Sequence, residues 1–366
     1  MSDVVELLSQ LVRIGSVNPD GEPGTDRIGE ADCANFLATW LRECGAESWL
    51  DEVFHGRPNV VGRFPSDKAG KPRLLFAPHT DTVSVLGMTI EPFSGEVKDG
   101  KVWGRGSSDT KGPMAAMLTA LKDCREIIPT LSHEIWFAGL MSEETGQHGA
   151  KALAAREKFD FVVVGEPTDL QTVYTHKGSA WVTLRVRGKA VHASKPERGE
   201  NAIYKMLEVL AYFKETLTVA FGRLHDDVLG SPTFNVGTIQ GGSKVNIVPD
   251  ICEAKIDMRT LPGQEVGPIL DEAKARFAGL EIEIVQSNPL KTDINHPVID
   301  LLAQGGAKPV GAPWFCDAAI FAAVGTPAVA IGPGSIAQAH TADEFISVAD
   351  LEAGAEFFTN FLKKLQ

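Results

Sequence analysis

Side chains that can bind metal follow four short apolar segments of this sequence, three of them within four residues and the fourth, His340, beyond a Gly-Pro-Gly stretch. Imidazole nitrogen and carboxylate oxygen are the atoms that bind zinc and the harder divalent cations in proteins. The segments and their side chains are 73–77 with His79 and Asp81, 135–140 with Glu143 and Glu144, 161–165 with Glu166, and 327–331 with His340. If the fold brings the ends of these segments together, the chain has enough ligands for two metal ions.

Asp81 of this set can support His79, and Asp109 adds one further carboxylate. Asp81 lies two residues after His79, so it can accept a hydrogen bond from the second ring nitrogen and fix the tautomer of that histidine. Asp109 precedes a predicted helix, where aspartate is a common N-cap. A role as ligand and a role as helix cap are therefore both open for Asp109.

The other candidates also have ordinary structural interpretations when they are taken one at a time. Adjacent acids such as Glu143 and Glu144 often form a solvated turn. His340 and His192 can be loop histidines at the surface. Glu166 is different, because a carboxylate directly after an apolar run needs a partner to offset its burial. The hypothesis of a metal site depends on the combination.

The four apolar segments predict the strands of a mainly parallel sheet. Continuous apolar runs bounded by turn residues are typical of strands buried on both faces. Ligands of such sheets collect just beyond the carboxyl ends of the strands. Helices are predicted over residues 4–12, over 30–44 with Gly45 at the end, and from residue 112 onward.

The pattern changes near residue 177, where a second domain is predicted. Apolar and polar residues alternate over 180–187, as in a strand with one face exposed to water. The elements predicted after it are 201–217, 233–239, 251–258, 265–277 and 280–285. Their order, β-α-β-β-α-β, is that of the ferredoxin-like unit. The sequence thus predicts a discontinuous α/β domain, residues 1–176 and 288–366, with an α+β domain inserted at 177–287.

Composition is that of an ordinary globular protein and disfavours several partners. The 366 residues suffice for two domains, and 43% of them are hydrophobic. A formal charge of −13 disfavours nucleic acid and anionic membranes, which require clustered Lys and Arg. No apolar stretch approaches the roughly 20 residues of a membrane span, and the first residues lack the pattern of a secretory signal. Five scattered cysteines favour a reducing cytoplasm over a disulfide framework.

Five motifs, in their order along the chain, resemble those of one family of hydrolases. They are His79-Thr80-Asp81, Asp109-Thr110-Lys111-Gly112, Glu143-Glu144-Thr145-Gly146, Gly165-Glu166-Pro167-Thr168 and Ala339-His340. In these motifs and their spacing the sequence is similar to the co-catalytic zinc aminoacylases and peptidases. That family includes acetylornithine deacetylase, succinyl-diaminopimelate desuccinylase and carboxypeptidase G. The resemblance covers essentially the whole chain and implies a zinc-peptidase-like catalytic domain.

The resemblance implies two divalent metal ions per subunit, expected to be zinc, with cobalt able to replace it. The implied ligands are His79 and Glu166 on one ion, Glu144 and His340 on the other, and Asp109 bridging both. Glu143 is the implied general base of an amide hydrolysis, and Asp81 is the implied partner of His79.

The resemblance also implies that the inserted domain is a lid and joins two subunits into a homodimer. His192 is implied to reach the site from the neighbouring subunit's lid and to stabilise the oxyanion of the reaction. Asn246 and Arg259 are the implied substrate-binding residues of the lid. Arg259 presents a planar guanidinium suited to a substrate carboxylate, with an exposed arginine at a strand end as the alternative.

Further stretches are similar to the acetylornithine deacetylases of this family, namely 166–171, 176–178, 198–203, 259–263 and 332–340. They imply hydrolysis of N-acetylornithine to ornithine and acetate, a step of arginine biosynthesis. N-acetylcitrulline, succinyl-diaminopimelate and dipeptide or carboxypeptide substrates are the alternatives. Two residues depart from the family pattern. Pro78 stands where glycine is frequent, and Asp317, beside Cys316, stands where these deacylases often carry Glu.

Two other classes of protein compete with a hydrolase. Residues 104–109 begin like a dinucleotide-binding loop, but the third glycine is absent and no acidic residue ends a following strand about 20 residues on. A metal-free scaffold would normally lack some of the ligands, and here every position is filled. Neither alternative needs metal, so metal content separates both from the hydrolase.

Overall fold

The computed structural model describes residues 2–366, and the chain divides into two compact units. The first comprises the chain up to Tyr174 together with Thr292–Val310 and Cys316–Gln366. The second comprises Thr175–Lys291 and Gly311–Phe315. The first unit is therefore built from stretches that are separated in the sequence.

The described chain mixes helices and strands throughout. The helices are α1 (Asp3–Arg13), α2 (Ala31–Glu43), α3 (Lys111–Asp123), α4 (His148–Arg156), α5 (Ala202–Gly222), α6 (Gly267–Arg276), α7 (Pro297–Gln304), α8 (Ala318–Ala323) and α9 (Val348–Lys363). The strands are β1 (Glu47–Phe54), β2 (Arg57–Arg63), β3 (Arg73–Pro78), β4 (Glu96–Lys98), β5 (Lys101–Trp103), β6 (Glu134–Gly139), β7 (Phe161–Gly165), β8 (Thr172–His176), β9 (Gly178–Arg187), β10 (Thr233–Gly241), β11 (Ile251–Thr260), β12 (Glu281–Ser287), β13 (Leu290–Lys291), β14 (Pro309–Ala312), β15 (Ala328–Ala330) and β16 (Phe345–Ser347).

A mixed sheet forms the centre of the first unit, with strand order β1-β2-β6-β3-β7-β15-β8. The inner strands β6, β3, β7 and β15 are parallel to one another, whereas β1, β2 and β8 pair in the antiparallel sense. The parallel strands are the four apolar segments of the sequence, and almost all of their residues are buried. The predicted fold class, α/β with mainly parallel central strands, is confirmed.

The register of the parallel strands aligns their carboxyl ends. Pro78 at the end of β3 pairs with Gly165 at the end of β7. His79, the next residue, forms a bridge with Leu140 directly after β6. The loops that carry the candidate ligands therefore begin at one edge of the sheet.

Helices pack on the sheet and hold this edge in place. Apolar residues of α1, α2, α3 and α9 share one hydrophobic core with Leu74 and Phe76 of β3. Helix α3 is buried along its length from Lys111 to Leu121. Helix α8 packs against β7 and β15. Burying one Leu or Phe side chain contributes about 1.5–3 kcal/mol, so such a core provides a stable base for the loops.

The second unit contains a separate antiparallel sheet with strand order β10-β11-β9-β12. The buried residues of β9 pack with apolar residues of α5 and α6, and the residues between them are less buried. This arrangement confirms the predicted order β-α-β-β-α-β and the predicted alternation in β9. That this unit acts as a lid and joins two subunits into a homodimer stays a prediction.

Two expectations about the chain concern disulfides and membranes. All five cysteines are buried and none is part of a disulfide, as their scattered positions predict. Within residues 2–366, every helix is too short or too polar to span a membrane.

Candidate metal centre

Four of the predicted ligands meet at the carboxyl edge of the first unit's sheet. His79 Nε2 lies 3.1 Å from Asp109 Oδ1. His340 Nε2 lies 3.4 Å from Asp109 Oδ2 and 3.2 Å from Glu144 Oε2. Ligand atoms of His79, Asp109 and Glu144 all lie within 4.8 Å of one another. The two oxygens of the Asp109 carboxylate therefore face two different histidines.

Asp109 reaches this position from the loop before α3, and it does not cap that helix. Helix α3 begins at Lys111, and its N-cap is Thr110, whose side chain makes no capping hydrogen bond. The peptide bond between Asp109 and Thr110 is cis. Because the Asp109 carboxylate contacts the histidines, the N-cap interpretation of this residue is wrong.

Asp81 contacts His79 mainly through its backbone. His79 Nδ1 lies 2.9 Å from the backbone carbonyl oxygen of Asp81 and 3.5 Å from its carboxylate. A carbonyl oxygen only accepts, so Nδ1 carries the proton and Nε2 is the atom that faces Asp109. The Asp81 carboxylate instead accepts hydrogen bonds from the backbone N–H groups of Glu143, at 2.9 Å, and Glu144, at 3.2 Å. Asp81 thus connects the His79 loop to the loop of the two glutamates.

Buried carboxylates outnumber the two histidines in this region. Asp81, Asp109, Glu166 and Asp317 are buried, and Glu143 and Glu144 beside them are half-buried. Desolvation, and then the negative charge of Glu166, raise the pKa of Glu143 well above its ordinary value. Desolvation, and then the charge of Asp109, do the same to the pKa of Glu166. Like charges this close disfavour one another's ionised forms, so the cluster requires positive charge.

The surroundings favour the charged forms of the two histidines, whereas they favour the neutral forms of Glu143 and Glu166. Hydrogen bonds to Asp109 and Glu144 raise the pKa of His340 to about 10. Burial disfavours the charged form of His79, but its hydrogen bonds to Asp109 and Asp81 outweigh burial and raise its pKa well above the ordinary value. Burial also disfavours the charged form of Asp109 and by itself would raise its pKa. Hydrogen bonds from His340 and His79 outweigh burial and lower the pKa of Asp109. Both shifts show that the surrounding carboxylates favour positive charge at the two histidines.

The donor atoms fit divalent metal ions in type and spacing. Ligand atoms about 2.1 Å from one ion at tetrahedral angles are about 3.4 Å apart, close to the observed separations of 3.1, 3.4 and 3.2 Å. Glu144 Oε1 and Glu166 Oε1 are buried, and neither has a hydrogen-bond partner in the part of the chain that the structure describes. A buried oxygen without a partner is costly, and coordination to a metal ion would remove that cost.

Three residues around the site were not assigned a role from the sequence. Asn18 Nδ2 donates to Asp81 Oδ2 at 2.8 Å. Asp317 is buried, and neither of its carboxylate oxygens has a hydrogen-bond partner within residues 2–366. Burial raises the pKa of Asp317 to about 7. Glu344 is completely buried behind the Asp109 loop. Glu344 precedes the apolar pair Phe345-Ile346, whereas Glu166 follows an apolar run, so the signal that singled out Glu166 does not identify Glu344.

The glycine-containing loop 104–109 is occupied by a protein carboxylate. The backbone N–H groups of Gly106, Ser108 and Asp109 donate to Glu344. In a dinucleotide-binding loop such groups would be free to bind phosphate. This arrangement argues against the oxidoreductase alternative.

Comparison with known proteins agrees with this geometry. The model of the family described as Peptidase family M20/M25/M40 matches residues 75–364. The chain is also 32% identical to an acetylornithine deacetylase of Proteus mirabilis, over 98% of this chain and 96% of that protein. The chain belongs to peptidase family M20/M25/M40. The resemblance found in the sequence motifs is therefore confirmed at the level of the family.

Solved structures of M20 proteins have the same fold over nearly the whole chain. A metallo-carboxypeptidase of Sulfolobus solfataricus superposes with a TM-score of 0.79 at 21% identity, covering 100% of this chain and 99% of that one. A protein of Bacillus subtilis, described as a dinuclear metal-binding peptidase of the M20 family, superposes with a TM-score of 0.69 at 13% identity, covering 98% of this chain and 96% of that one.

The remaining predicted site residues of this M20 chain lie in the second unit. His192 is exposed, and its Nδ1 lies 2.8 Å from Ser194 Oγ. The backbone N–H of Ala193 donates to the carbonyl oxygen of Asn246 at 3.0 Å. The loops of His192 and Asn246 are thus neighbours. Arg259 lies on β11 and is the third predicted residue in this unit.

Arg259 is ordered by a neighbouring acid on the same strand. Its Nε donates to Asp257 Oδ2 at 3.1 Å, and Trp181 Nε1 donates to Asp257 Oδ1 at 2.8 Å. The Arg259 side chain is about one third exposed, at 33%. It therefore differs from the freely exposed strand-end arginine that the sequence left open.

Proposed function

We propose that this M20 protein is a metal-dependent amidohydrolase that removes the acyl group of an N-acyl amino acid, with N-acetylornithine as its leading substrate. The observation that carries the proposal is the Asp109 carboxylate, whose two oxygens face His79 and His340. The relative from Proteus mirabilis, named acetylornithine deacetylase, supports the choice of substrate.

The ligands would hold two divalent ions, with zinc as the proposed metal and cobalt able to replace it. His79 and Glu166 would hold one ion, Glu144 and His340 the other, and Asp109 both. The likeness to the dinuclear metal-binding peptidase of Bacillus subtilis supports two ions. When bound, such ions lower the pKa of a water molecule and stabilise negative charge on the oxygens of a tetrahedral intermediate.

Glu143 would act as the general base. Its backbone N–H donates to Asp81 Oδ1 at 2.9 Å, which fixes the residue that carries the carboxyl group. A positioned carboxylate can take up a proton from water and release it again. Glu143 takes a proton from the water that adds to the acyl carbon. It then delivers this proton to the nitrogen as the C–N bond breaks. The products are a carboxylate and a free amine.

Arg259 and Asn246 are proposed to bind the substrate, and Arg259 to bind its α-carboxylate. Asp257 occupies Arg259 Nε and so restricts the rotation of the guanidinium. Within residues 2–366, neither terminal nitrogen of Arg259 makes a hydrogen bond that would compete with such a ligand. A guanidinium held in this way suits a bidentate contact with a carboxylate.

His192 is proposed to stabilise the oxyanion from the partner subunit of a homodimer. Its exposed imidazole makes its contact with Ser194, so one ring nitrogen remains for a ligand. Oxyanion stabilisation by a positioned donor is often worth two to three orders of magnitude in rate, roughly 10²–10³. A cytoplasmic location, expected from the five scattered cysteines, and a place in arginine biosynthesis, expected from the substrate, stay predictions.

A peptidase is the second candidate, because the solved M20 structures include a carboxypeptidase. A hydrolysis panel separates the two functions. It contains N-acetylornithine, N-acetylcitrulline, N-succinyl-diaminopimelate and dipeptides, with the Glu143→Gln variant as the control for contaminating enzymes. We expect kcat/KM to be highest for N-acetylornithine. If dipeptides are hydrolysed faster than every acetylated amino acid, the peptidase function replaces the deacetylase.

A further inference from the structure

The carboxylate of Glu344 is saturated with hydrogen bonds from the loop that carries Asp109. Glu344 Oε2 accepts from Arg105 Nη1 at 2.7 Å and from the Gly106 N–H at 3.0 Å. Glu344 Oε1 accepts from the N–H groups of Ser108, at 2.9 Å, and Asp109, at 3.0 Å. Each oxygen therefore has two donors, and three of the four donors are backbone groups.

Glu344 belongs to the segment that also carries His340. The two residues are four positions apart, and β16 begins directly after Glu344. Phe345 of β16 pairs with Trp103 of β5, which leads into the Asp109 loop. The backbone carbonyl oxygen of Glu344 also accepts from the Gly104 N–H, at 3.0 Å. Backbone and side chain of Glu344 thus join the same two segments.

Arg105 closes the network on its far side. Its Nε and Nη2 donate to the carbonyl oxygen of Ser84, at 3.2 and 3.0 Å. Arg105 is 3% exposed and Glu344 is fully buried. Gly106 follows Arg105 in this loop and has a positive φ of 84°. A Cβ atom added at Gly106 would lie only 2.8 Å from Thr82 Cγ2. The loop is therefore packed against the residue that follows Asp81.

We infer that Glu344 is a positioning residue that fixes the Asp109 loop relative to His340 and so sets the spacing of the metal ligands. The inference rests on the proposed function only in the identity of those ligands. A carboxylate can accept all four hydrogen bonds, because it has no proton to donate. An amide of the same size would turn an N–H group toward two of the donors. Two contacts would be lost, and the Asp109 loop would be released.

The test compares Glu344→Gln with Glu30→Gln as a matched control. Glu30 is also fully buried, and Arg57 donates to its two oxygens at 2.8 and 2.6 Å. Glu30 makes no hydrogen bond to the Asp109 loop within residues 2–366. Zn²⁺ affinity of the full chain is measured by competition with a chelator, and the visible spectrum is recorded with Co²⁺ in place of Zn²⁺.

Removing a residue that hydrogen-bonds to a metal ligand typically lowers metal affinity by about 10- to 100-fold. We expect Glu344→Gln to lose Zn²⁺ affinity in this range, to shift the Co²⁺ spectrum, and to lower kcat with KM within about twofold of wild type. The control should keep wild-type affinity and spectrum. Equal effects of the two variants, or no effect of Glu344→Gln, would overturn the inference.

A second variant serves if Glu344→Gln does not fold. Arg105→Gln removes one donor and keeps the three backbone contacts, so it should lower Zn²⁺ affinity less, by about 3- to 10-fold. Wild-type affinity in folded Arg105→Gln would also overturn the inference. Failure of the wild-type chain to bind metal would instead contradict the proposed function, so the two failures are distinguishable.

Discussion

At the scale of residues, the site depends on two adjacent glutamates that differ in their surroundings. Glu144 Oε2 lies 3.2 Å from the His340 ring, whereas the strongest influence of a charged neighbour on Glu143 comes from Glu166. Both backbone N–H groups are held by Asp81. Both backbones are therefore fixed, and the roles proposed for the side chains differ, Glu144 as a metal ligand and Glu143 as the general base.

The pair Glu143→Gln and Glu144→Gln tests this division. The amide of Glu143→Gln keeps the size of the side chain but cannot take up a proton. We expect it to retain both metal ions and to lose about 10²- to 10⁴-fold in kcat. Glu144→Gln, the matched control, should lose metal as well as activity. Metal analysis and steady-state kinetics of both variants provide the measurement. An activity of Glu143→Gln within about threefold of wild type would move the base to another residue.

Arg259→Lys tests the proposed carboxylate contact. Lysine keeps the charge but cannot form a planar bidentate pair. A hydrogen bond to a charged group contributes about 1.5–3 kcal/mol, so kcat/KM for N-acetylornithine should fall by about tenfold or more. Hydrolysis of the same substrate with its carboxylate blocked as an amide should change little. Arg187→Lys, on the exposed side of β9, is the control. Equal losses on acid and amide would exclude Arg259 as the carboxylate-binding residue.

Residue types and motif order were enough to predict four candidate ligands that the structure brings together, His79, Asp109, Glu144 and His340. They were not enough for Asn18 or Glu344. Asn18 contacts Asp81, which is 63 positions away in the sequence. Glu344 contacts Asp109, which is 235 positions away. Such contacts depend on tertiary structure, and a single sequence has no periodic pattern that encodes them.

At the scale of elements, apolar runs and helix-stop residues predicted the elements that build the site. Strands β3, β6, β7 and β15 appear where the continuous apolar runs are. Helix α5 was predicted over 201–217 but extends to Gly222, because its sequence contains no breaker before that residue. The short strands β4, β5 and β16 were not predicted. Each has three residues, too few for a periodic pattern to appear.

Replacing Asn59 of β2 tests whether this side chain supports the loop that carries Glu143 and Glu144. Its Oδ1 accepts from the Met141 N–H and its Nδ2 donates to the Gly149 carbonyl oxygen, both at 3.0 Å. Asn59→Ala leaves the buried Met141 N–H without this partner, at a cost of about 1–3 kcal/mol, and removes one further hydrogen bond, to the Gly149 carbonyl oxygen, worth about 0.5–1.5 kcal/mol. We expect the free energy of unfolding to fall by about 2–4 kcal/mol in urea titrations.

Asn35→Ala is the control for this prediction. Asn35 is exposed and donates within its own helix to the Ala31 carbonyl oxygen. Its removal should change the free energy of unfolding by no more than about 0.5 kcal/mol. Equal stability of Asn59→Ala and Asn35→Ala would show that the Asn59 bridge does not support the loop.

At the scale of the whole molecule, the proposed function requires residues from both units. The candidate ligands lie in the first unit, and His192, Asn246 and Arg259 lie in the second. Both groups were predicted from the sequence because the family resemblance extends over the whole chain, and their roles stay predictions. The assignment of His192 to the partner subunit came from this resemblance and requires an experiment on the assembled protein.

Mixing two inactive variants tests the sharing of His192 between subunits. His192→Ala and Glu143→Gln are each expected to be inactive as homodimers. After subunit exchange, a mixed dimer contains one site in which both residues are intact if His192 acts across the interface. We expect about a quarter of wild-type activity from an equimolar mixture, since half of the dimers are mixed and each of these has one complete site. Full subunit exchange without recovered activity would assign His192 to its own chain.

We propose that this protein is a hydrolase that works with two metal ions. Titrating metal into the metal-free protein tests this proposal best. Zn²⁺ is removed with a chelator and returned stepwise while bound metal and hydrolysis of the best substrate of the panel are followed together. We expect negligible activity without metal, binding that saturates at about two ions per chain, and recovery of activity with that binding. Full activity in the metal-free protein would contradict the proposal.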